Sequence, residues 1–224
     1  MSMQYKNAIF DLDGTLINSL ADLAASVNAT LTEYGFPTFT TEEYRYKVGN
    51  GAQKLIERSL PPEKAADAAF VQQALTRYKE IYAAHTADKT KPYAGIVDTL
   101  TKLYTRGVTL GICTNKPQGA AEEIARTMLE EIPFAVVIGD GGGLPIKPDP
   151  AKVQLICRKL NIAPADTVFI GDSAVDMETA VNSGCLPVGV LWGFREREEL
   201  LAAGAKVLLT EPQELLTKVE FIHA

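Results

Sequence analysis

The chain has 224 residues, of which 46% are hydrophobic and 22% are charged, an ordinary composition for a globular protein with a sizeable core. Its formal net charge is −6 and it has no run of basic residues, which argues against binding to nucleic acid or to an acidic membrane surface. No stretch of about 18 consecutive apolar residues is present, so no membrane span is predicted.

The first ten residues, MSMQYKNAIF, have no long apolar segment followed by a cleavage site, so no signal peptide is predicted. Cys113, Cys157 and Cys185 are far apart in the sequence, which indicates packing in a reducing compartment rather than a disulfide framework. The presence of only two histidines argues against a zinc site built from histidine and cysteine. We therefore expect a cytoplasmic protein.

The first predicted strand, residues 8–10, is short and apolar and is followed by two acids, Asp11 and Asp13, and then by Gly14. Such an ending can be a turn with solvated carboxylates, or it can hold a cation. A calcium-binding loop fits poorly, because Leu16 stands at the sixth position, where that loop requires glycine.

Residues 18–86 have the pattern of helices and contain no convincing strand. Apolar residues at spacings of three and four predict a first helix that ends before Gly35, and Thr40 and Glu43 have the spacing of a capping box. A glycine turn at residues 49–51 leads into another helix, and residues 61–85 predict one long helix with proline at its start.

From residue 95 onward, helical stretches alternate with short runs rich in apolar and β-branched residues, which predicts a parallel sheet covered by helices. The strands lack polar alternation, as expected when both faces of the sheet are buried. The predicted fold class is therefore α/β, with a doubly wound, Rossmann-like parallel sheet. We assign residues 1–17 and 87–224 to this core and residues 18–86 to an inserted all-helical domain.

Polar side chains stand at the carboxyl ends of four predicted strands, which is where open parallel sheets bind ligands. Each segment has an ordinary explanation by itself, as a turn, a helix cap or a surface lysine, but the combination predicts one site. The residues concerned are Asp11, Asp13, Thr114, Asn115, Lys147, Asp172 and Asp176.

These residue types suit the transfer of a phosphoryl group. Mg²⁺ prefers oxygen ligands, which Asp11, Asp172 and a backbone carbonyl near Asp13 can supply. One carboxylate can attack phosphorus, and a second one two residues further on can protonate the leaving alcohol and then activate water. Thr114 and Lys147 can bind the phosphoryl oxygens on which negative charge is spread in the transition state.

The segments DLDGTL, CTN, KPDP and GDSAVD resemble the four motifs of the haloacid dehalogenase-like hydrolases, and the resemblance covers nearly the whole chain. It implies that residues 18–86 form a cap, that Asp11 is the nucleophile and that Asp13 is the general acid/base. It also implies Mg²⁺ bound by Asp11, by Asp172 and by the carbonyl of Asp13, with Asp176 assisting the metal site or orienting Lys147. The acid at Asp13 favours a phosphatase or mutase, because dehalogenases of this family lack an acid there.

Within the family, FDLDGTLINSLADLAASVNATLTEYGFP and VGNGAQKLIERSL are similar to the phosphoglycolate phosphatase group. This implies a phosphomonoester hydrolase that acts on a small phosphorylated metabolite through an aspartyl-phosphate intermediate. Gly49, Asn50, Gly51 and Lys54, with Lys47 nearby, are the candidate contacts for a carboxylate or phosphate of the substrate. A plain glycine turn is the alternative.

Two other functional classes fit parts of the same pattern. A sugar phosphomutase similar to beta-phosphoglucomutase, or another small-molecule phosphatase, would have the same core residues. A phospho-accepting signalling module also uses Asp, Thr and Lys on a parallel sheet, but it would be shorter and would have no helical insertion. We expect a monomer or a weak homodimer, with no nucleic-acid or membrane partner.

Overall fold

A parallel sheet forms the centre of the protein in the computed structural model, which describes residues 4–222. Met1, Ser2 and Met3, which begin the segment in which no signal peptide is predicted, and His223 lie outside the described residues. No helix within the described range is long and apolar enough to cross a membrane.

The strands are short and separated mostly by helices. They are β1 (Asn7–Phe10), β2 (Ile17–Asn18), β3 (Lys91–Pro92), β4 (Thr109–Pro117), β5 (Val136–Asp140), β6 (Thr167–Gly171), β7 (Leu186–Val190) and β8 (Val207–Leu209). The helices are α1 (Leu20–Glu33), α2 (Gly51–Glu57), α3 (Pro62–Ala65), α4 (Ala68–Ala84), α5 (Ile96–Thr105), α6 (Gln118–Met128), α7 (Ala151–Leu160), α8 (Ala174–Ser183), α9 (Arg197–Ala202) and α10 (Leu215–Lys218). Short 3₁₀ helices cover Glu42–Tyr46, Pro164–Asp166 and Pro212–Glu214.

The main sheet has the strand order β5-β4-β1-β6-β7-β8, and its registered pairs are parallel. Phe10, the last residue of β1, lies opposite Ile112 on one side and Ile170 on the other. The residues after Phe10, Ile112 and Ile170 therefore lie at the same edge of the sheet. This arrangement confirms the predicted α/β fold class.

Both faces of the sheet are buried, which explains the lack of polar alternation in the strands. Ala8 and Phe10 of β1 pack into a cluster with residues of α5, α6 and α10, whereas Ile9 between them packs with residues of α7 and α8. Because successive side chains of a strand point to opposite faces, helices cover the sheet on both sides, as the doubly wound prediction requires.

The helical segment between β1 and β4 has a hydrophobic cluster of its own, formed by side chains of α1, α2, α4 and the loops between them. Phe194, from the loop after β7, also belongs to this cluster. The antiparallel pair β2–β3 brackets the segment, and Asp22 of α1 accepts hydrogen bonds from the backbone of Lys89 and Thr90. The division of the chain at residues 17/18 and 86/87 stays a prediction.

Two sequence-based predictions need correction. The long helix predicted for residues 61–85 is two helices, because the Asp67 side chain accepts hydrogen bonds from the N–H groups of Ala69 and Phe70 and so begins a new helix. The strand that carries Thr114 and Asn115, predicted to end with these two residues, extends to Pro117, where it pairs with Asp140 after a shift of register. The capping box of Thr40 and Glu43 is confirmed by reciprocal hydrogen bonds.

Candidate active site

Asp11 follows β1 directly, and its N–H donates to the carbonyl of Ile170, so the adjacent strand β6 fixes its position. Its side chain is buried beside Lys147, whose Nζ lies 2.8 Å from Asp11 Oδ1. This contact is an ion pair, and Asp11 Oδ1 has no hydrogen-bond partner among the described residues. Burial and the nearby Asp176 raise the pKa of Asp11 to about 6, against the opposing effect of Lys147.

Lys147 is buried between two carboxylates, since its Nζ also lies 2.6 Å from Asp176 Oδ1. Burial alone would lower the pKa of Lys147, but Asp11 and Asp176 raise it above its usual range. The loop that carries Lys147 is held by Asn115, whose side chain accepts from the Lys147 N–H and donates to the Lys147 carbonyl. The ammonium group is therefore charged and fixed next to Asp11.

Asp172 and Asp176 complete a group of three buried carboxylates with Asp11, whose oxygens lie within 4.8 Å of one another. Asp172 accepts a hydrogen bond of 2.7 Å from the N–H of Phe194, but it makes no ion pair with any residue in the described range. Burial first, and then Asp176 and Asp11, raise the pKa of Asp172 well above its usual range.

Glycines make room for Asp172. Gly14 has a φ of 84°, and a Cβ at this position would lie 2.2 Å from Asp172 Oδ2. A Cβ at Gly193 would lie 2.3 Å from Asp172 Cβ. The glycine after the two acids therefore does more than turn the chain, because it lets a third carboxylate approach them.

The three clustered carboxylates can hold a metal ion. Their hard oxygen donors are the kind that Mg²⁺ prefers, and like charges this close repel each other unless a cation lies between them. Asp176 is the least available of the three, because Oδ1 meets Lys147 and Oδ2 accepts from the backbone and hydroxyl of Ser173 in a capping box. Asp11 and Asp172 are more available, because Asp172 Oδ1 accepts only a long contact of 3.5 Å from the Thr15 hydroxyl and Asp172 makes no ion pair with a described residue.

Thr114 and Asn115 lie in the last residues of β4 and line the same cavity as Asp11 and Asp13. The Thr114 hydroxyl accepts from the N–H of Lys116, and the Thr114 carbonyl accepts from Lys152 Nζ. Lys152, which is fully buried, also reaches Asn115 Oδ1 at 3.3 Å. Lys152 therefore holds Thr114 and Asn115 in place, a role that nothing in its sequence context suggested.

Asp13 has a cation of its own, which the motifs did not reveal. Lys116 Nζ lies 2.9 Å from Asp13 Oδ1 and 3.1 Å from Oδ2, and the hydroxyl of Ser19 also donates to Oδ1. On its other side, Lys116 contacts the hydroxyl of Tyr82, which belongs to α4. The only signal in the sequence was a lysine directly after Asn115. Burial alone would lower the pKa of Lys116, but Asp13 and Tyr82 raise it.

The glycine turn of the helical segment reaches the cavity through its backbone. Gly49 and Gly51 line the cavity, and the Gly49 carbonyl accepts from Asn115 Nδ2 at 3.4 Å. The structure does not bring the Asn50 side chain or Lys54 to the cavity, because Asn50 Oδ1 accepts from Arg58 and Lys54 pairs with Glu57.

Lys47 also lies away from the cavity, where its Nζ donates to the carbonyl of Arg58. The predicted substrate contacts at Asn50 and Lys54 are thus not assembled with the other site residues.

Two arginines connect the helical segment to the loop after β7. Arg45 donates to the carbonyls of Gly193 and Phe194, and Arg195 donates to the carbonyls of Arg45 and Val48. These residues are about 150 positions apart in the sequence, so no local pattern could have paired them. The same loop supplies the N–H that binds Asp172.

A cavity of about 340 Å³ lies between the helical segment and the carboxyl edge of the sheet. The sheet side is polar and includes Asp11, Asp13, Thr114 and Asp172, whereas the helical side is mostly apolar. The stacked rings of Tyr78 and Tyr82 form part of that helical side. A small molecule whose anionic groups face the sheet side fits such a cavity best.

Comparisons with known proteins agree with this geometry. The family model of haloacid dehalogenase-like hydrolases matches residues 8–190. A phosphoglycolate phosphatase of Haemophilus influenzae is 33% identical over 223 residues, which cover 97% of this chain and 99% of that protein. A phosphoglycolate phosphatase of Pseudomonas putida is 35% identical over 212 residues, which cover 93% of this chain and 77% of that protein.

Solved structures show the same fold. A crystal structure from Lactobacillus delbrueckii subsp. bulgaricus, of a protein provisionally named phosphoglycolate phosphatase, matches with a TM-score of 0.88 at 29% identity. The match covers 97% of this chain and 99% of that one. Both the central sheet and the helical segment are therefore shared.

Proposed function

The chain belongs to the haloacid dehalogenase-like hydrolases, and we propose that it is a Mg²⁺-dependent phosphatase that hydrolyses 2-phosphoglycolate. The observation that carries this proposal is the placement of Asp11 and Asp13 in the lining of one cavity, with the buried Lys147 ammonium 2.8 Å from Asp11. Relatives named phosphoglycolate phosphatase, which match nearly the whole chain, support the choice of substrate. The proposal includes a cytoplasmic location and a monomer or weak homodimer.

Asp11, Asp172 and the backbone carbonyl of Asp13 are the proposed Mg²⁺ ligands. The buried Asp11 Oδ1, which accepts no well-directed hydrogen bond from a described residue, and the unpaired charge of Asp172 fit this role. When bound, Mg²⁺ would offset the repulsion between these carboxylates and an incoming phosphoryl group. Asp176 is proposed to orient Lys147 rather than to bind the metal, because both of its oxygens are already engaged.

The proposed first half of the reaction forms an acyl phosphate. A carboxylate oxygen of Asp11 attacks phosphorus, and the bond from phosphorus to the ester oxygen breaks as Asp13 gives its proton to that oxygen. Lys147 and Thr114 hold the non-bridging oxygens, on which charge is spread in the transition state. The alcohol product then leaves the cavity.

In the proposed second half, Asp13, now a carboxylate, takes a proton from a water molecule that attacks the phosphorus of the aspartyl-phosphate. Inorganic phosphate leaves, and Asp11 is free again. Lys116 holds the side chain of Asp13 in the cavity, since its ammonium contacts that side chain.

A panel of phosphoesters tests the proposal. We expect Mg²⁺-dependent release of phosphate over many turnovers, fastest with 2-phosphoglycolate, from a set that also contains p-nitrophenyl phosphate, β-glucose 1-phosphate and small sugar phosphates. Conversion of β-glucose 1-phosphate to the 6-phosphate without net release would indicate a phosphomutase. A single stable phosphorylation by acetyl phosphate, with no turnover, would indicate a signalling module.

Asp172→Asn tests the proposed metal ligand with a readout other than activity. Asparagine keeps an oxygen for the N–H of Phe194 but removes one of three buried like charges. We expect Mg²⁺ to stabilise the wild-type protein against urea and to stabilise this variant much less, because a ligand that binds only the native state adds to stability. Activity should require a higher Mg²⁺ concentration.

Asp166→Asn is the matched control for this variant, because Asp166 lies just before the other end of β6 and pairs with the exposed Lys6. It should keep the Mg²⁺ response of the wild type. An unchanged Mg²⁺ response in Asp172→Asn would exclude Asp172 as a ligand.

A further inference from the structure

We propose that Lys116 binds the carboxylate of the substrate and thereby selects phosphoesters whose carboxylate is one carbon away from the ester oxygen. The inference rests on the proposed phosphatase function and adds the residue that discriminates between substrates by their leaving groups. It assigns this choice to the core of the protein rather than to the glycine turn of the helical segment.

Lys116 is a buried cation in the wall of the cavity, with only 2% of its side chain exposed. Its Nζ lies 2.9 Å and 3.1 Å from the two oxygens of Asp13, and 2.5 Å from the hydroxyl of Tyr82. The ammonium of Lys116 and the hydroxyl of Tyr82 thus lie side by side, next to Asp13, the proposed proton donor to the ester oxygen.

The covalent structure of the substrate then determines where its carboxylate goes. For proton transfer, Asp13 must come within about 2.6–3.2 Å of the ester oxygen. In 2-phosphoglycolate a single methylene separates this oxygen from the carboxylate. A molecule placed for proton transfer from Asp13 therefore brings its carboxylate close to the ammonium that contacts the same Asp13. A longer spacer would carry the carboxylate past Lys116.

Lys116 can accept a new partner without leaving Asp13 unpaired. An ammonium has three N–H donors, and two of the contacts of Lys116 go to the same carboxylate. Ser19 also donates to Asp13 Oδ1, so one of the two lysine contacts can be exchanged. The Tyr82 hydroxyl can turn its own proton toward the incoming carboxylate, which would then have two donors.

The other cations in or next to the cavity are less suited to this role. Arg195 donates to the carbonyls of Arg45 and Val48 and pairs with Glu199, so its guanidinium is engaged. Lys147 is held between Asp11 and Asp176 at the phosphoryl end. Lys79 lines the cavity but is exposed to solvent, where a charged contact is weaker.

The wild-type enzyme provides the first test, which depends on no variant. Three substrates of similar size are compared: 2-phosphoglycolate, 2-hydroxyethyl phosphate, which has no carboxylate, and 3-phosphooxypropionate, whose carboxylate is one carbon further away. We expect kcat/KM for 2-phosphoglycolate to exceed each of the others by about tenfold to a hundredfold, the range of a hydrogen bond to a charged group.

Equal rates on these esters would overturn the inference but would leave the phosphatase activity in place. Release of phosphate from none of them, or from any ester in the wider panel, would overturn the proposed function as well.

The second test separates binding of the carboxylate from support of Asp13. Lys116→Met, which is close in size, should lower kcat/KM for 2-phosphoglycolate at least about tenfold more than for 2-hydroxyethyl phosphate. Ser19→Ala removes a donor to Asp13 but no cation, so its loss should be parallel on both substrates. Lys79→Met should leave the ratio between the two substrates unchanged.

A parallel loss in Lys116→Met would show that this lysine only positions Asp13, which overturns the inference. A change of the ratio in Lys79→Met, with none in Lys116→Met, would place the carboxylate at the helical side of the cavity and would also overturn it.

Discussion

Replacing Asp11 with asparagine is expected to lower kcat/KM for phosphoester hydrolysis at least about 1,000-fold, because an amide cannot serve as the nucleophile that forms the acyl phosphate. The fold should survive the change. Asparagine has the same shape, and Lys147 keeps its contact of 2.6 Å to Asp176 when the charge of Asp11 is gone. Steady-state assays with 2-phosphoglycolate and p-nitrophenyl phosphate, together with urea unfolding of the variant, measure both expectations.

Asp98→Asn is the matched control for this experiment. Asp98 also pairs with a lysine, Lys102, at 2.7 Å, but this pair is exposed on α5 and lies outside the cavity. The control should keep full activity because Asp98 lies outside the cavity. It should also keep the stability of the wild type, because exposed ion pairs contribute little to stability. Activity of Asp11→Asn within about tenfold of the wild type would contradict the assignment of Asp11 as nucleophile.

The acidic residues of the site were predictable from the sequence because each follows a short apolar strand. In a parallel sheet the strands end at one edge. Local patterns around Phe10, Ile112 and Ile170 were therefore enough to predict that the residues that follow these three lie close together. The same reasoning found Lys147, although it could not show that Asn115 holds the loop of this lysine through two hydrogen bonds.

The helical side of the site was much less predictable. Tyr82 has the spacing of an ordinary core residue in α4, and only the packing of the helical segment on the sheet brings its hydroxyl to Lys116. Conversely, Asn50 and Lys54 could bind a carboxylate or phosphate, and in the sequence they stand next to or near the cavity-lining residues Gly49 and Gly51. Their side chains instead bind Arg58 and Glu57. Local sequence does not determine which way a polar side chain turns when several partners compete for it.

Close approaches between distant segments were also beyond sequence reasoning. Gly14 and Gly193 are both required to make space around Asp172, yet only Gly14 stands within a recognisable motif. The loop that contains Gly193 joins three features of the molecule, because it accepts hydrogen bonds from Arg45, inserts Phe194 into the helical cluster and donates an N–H to Asp172. The position of the helical segment and the orientation of Asp172 are thereby connected through one loop.

Lys147→Met is expected to affect both catalysis and stability, because this lysine is the buried partner of two carboxylates. Loss of a preorganised donor to the phosphoryl oxygens should cost about 2–4 kcal/mol in kcat/KM. Removal of one partner from a buried ion pair leaves uncompensated charge, here on Asp11 and Asp176, and should lower the free energy of unfolding by about 3–5 kcal/mol. Methionine fills most of the volume of the lysine, so a cavity adds little to either loss.

Mg²⁺ separates these two effects of Lys147→Met. Mg²⁺ held by the proposed ligands Asp11 and Asp172 would offset part of the repulsion that the variant leaves behind, so it should recover part of the lost stability in urea unfolding. It should not recover kcat/KM, because the contact with the phosphoryl oxygens is still missing. The control is Lys102→Met, which removes an exposed lysine from its ion pair with Asp98 and should change neither quantity by much. A variant of Lys147 with wild-type kcat/KM and wild-type stability would show that the buried ammonium contributes to neither the fold nor the reaction.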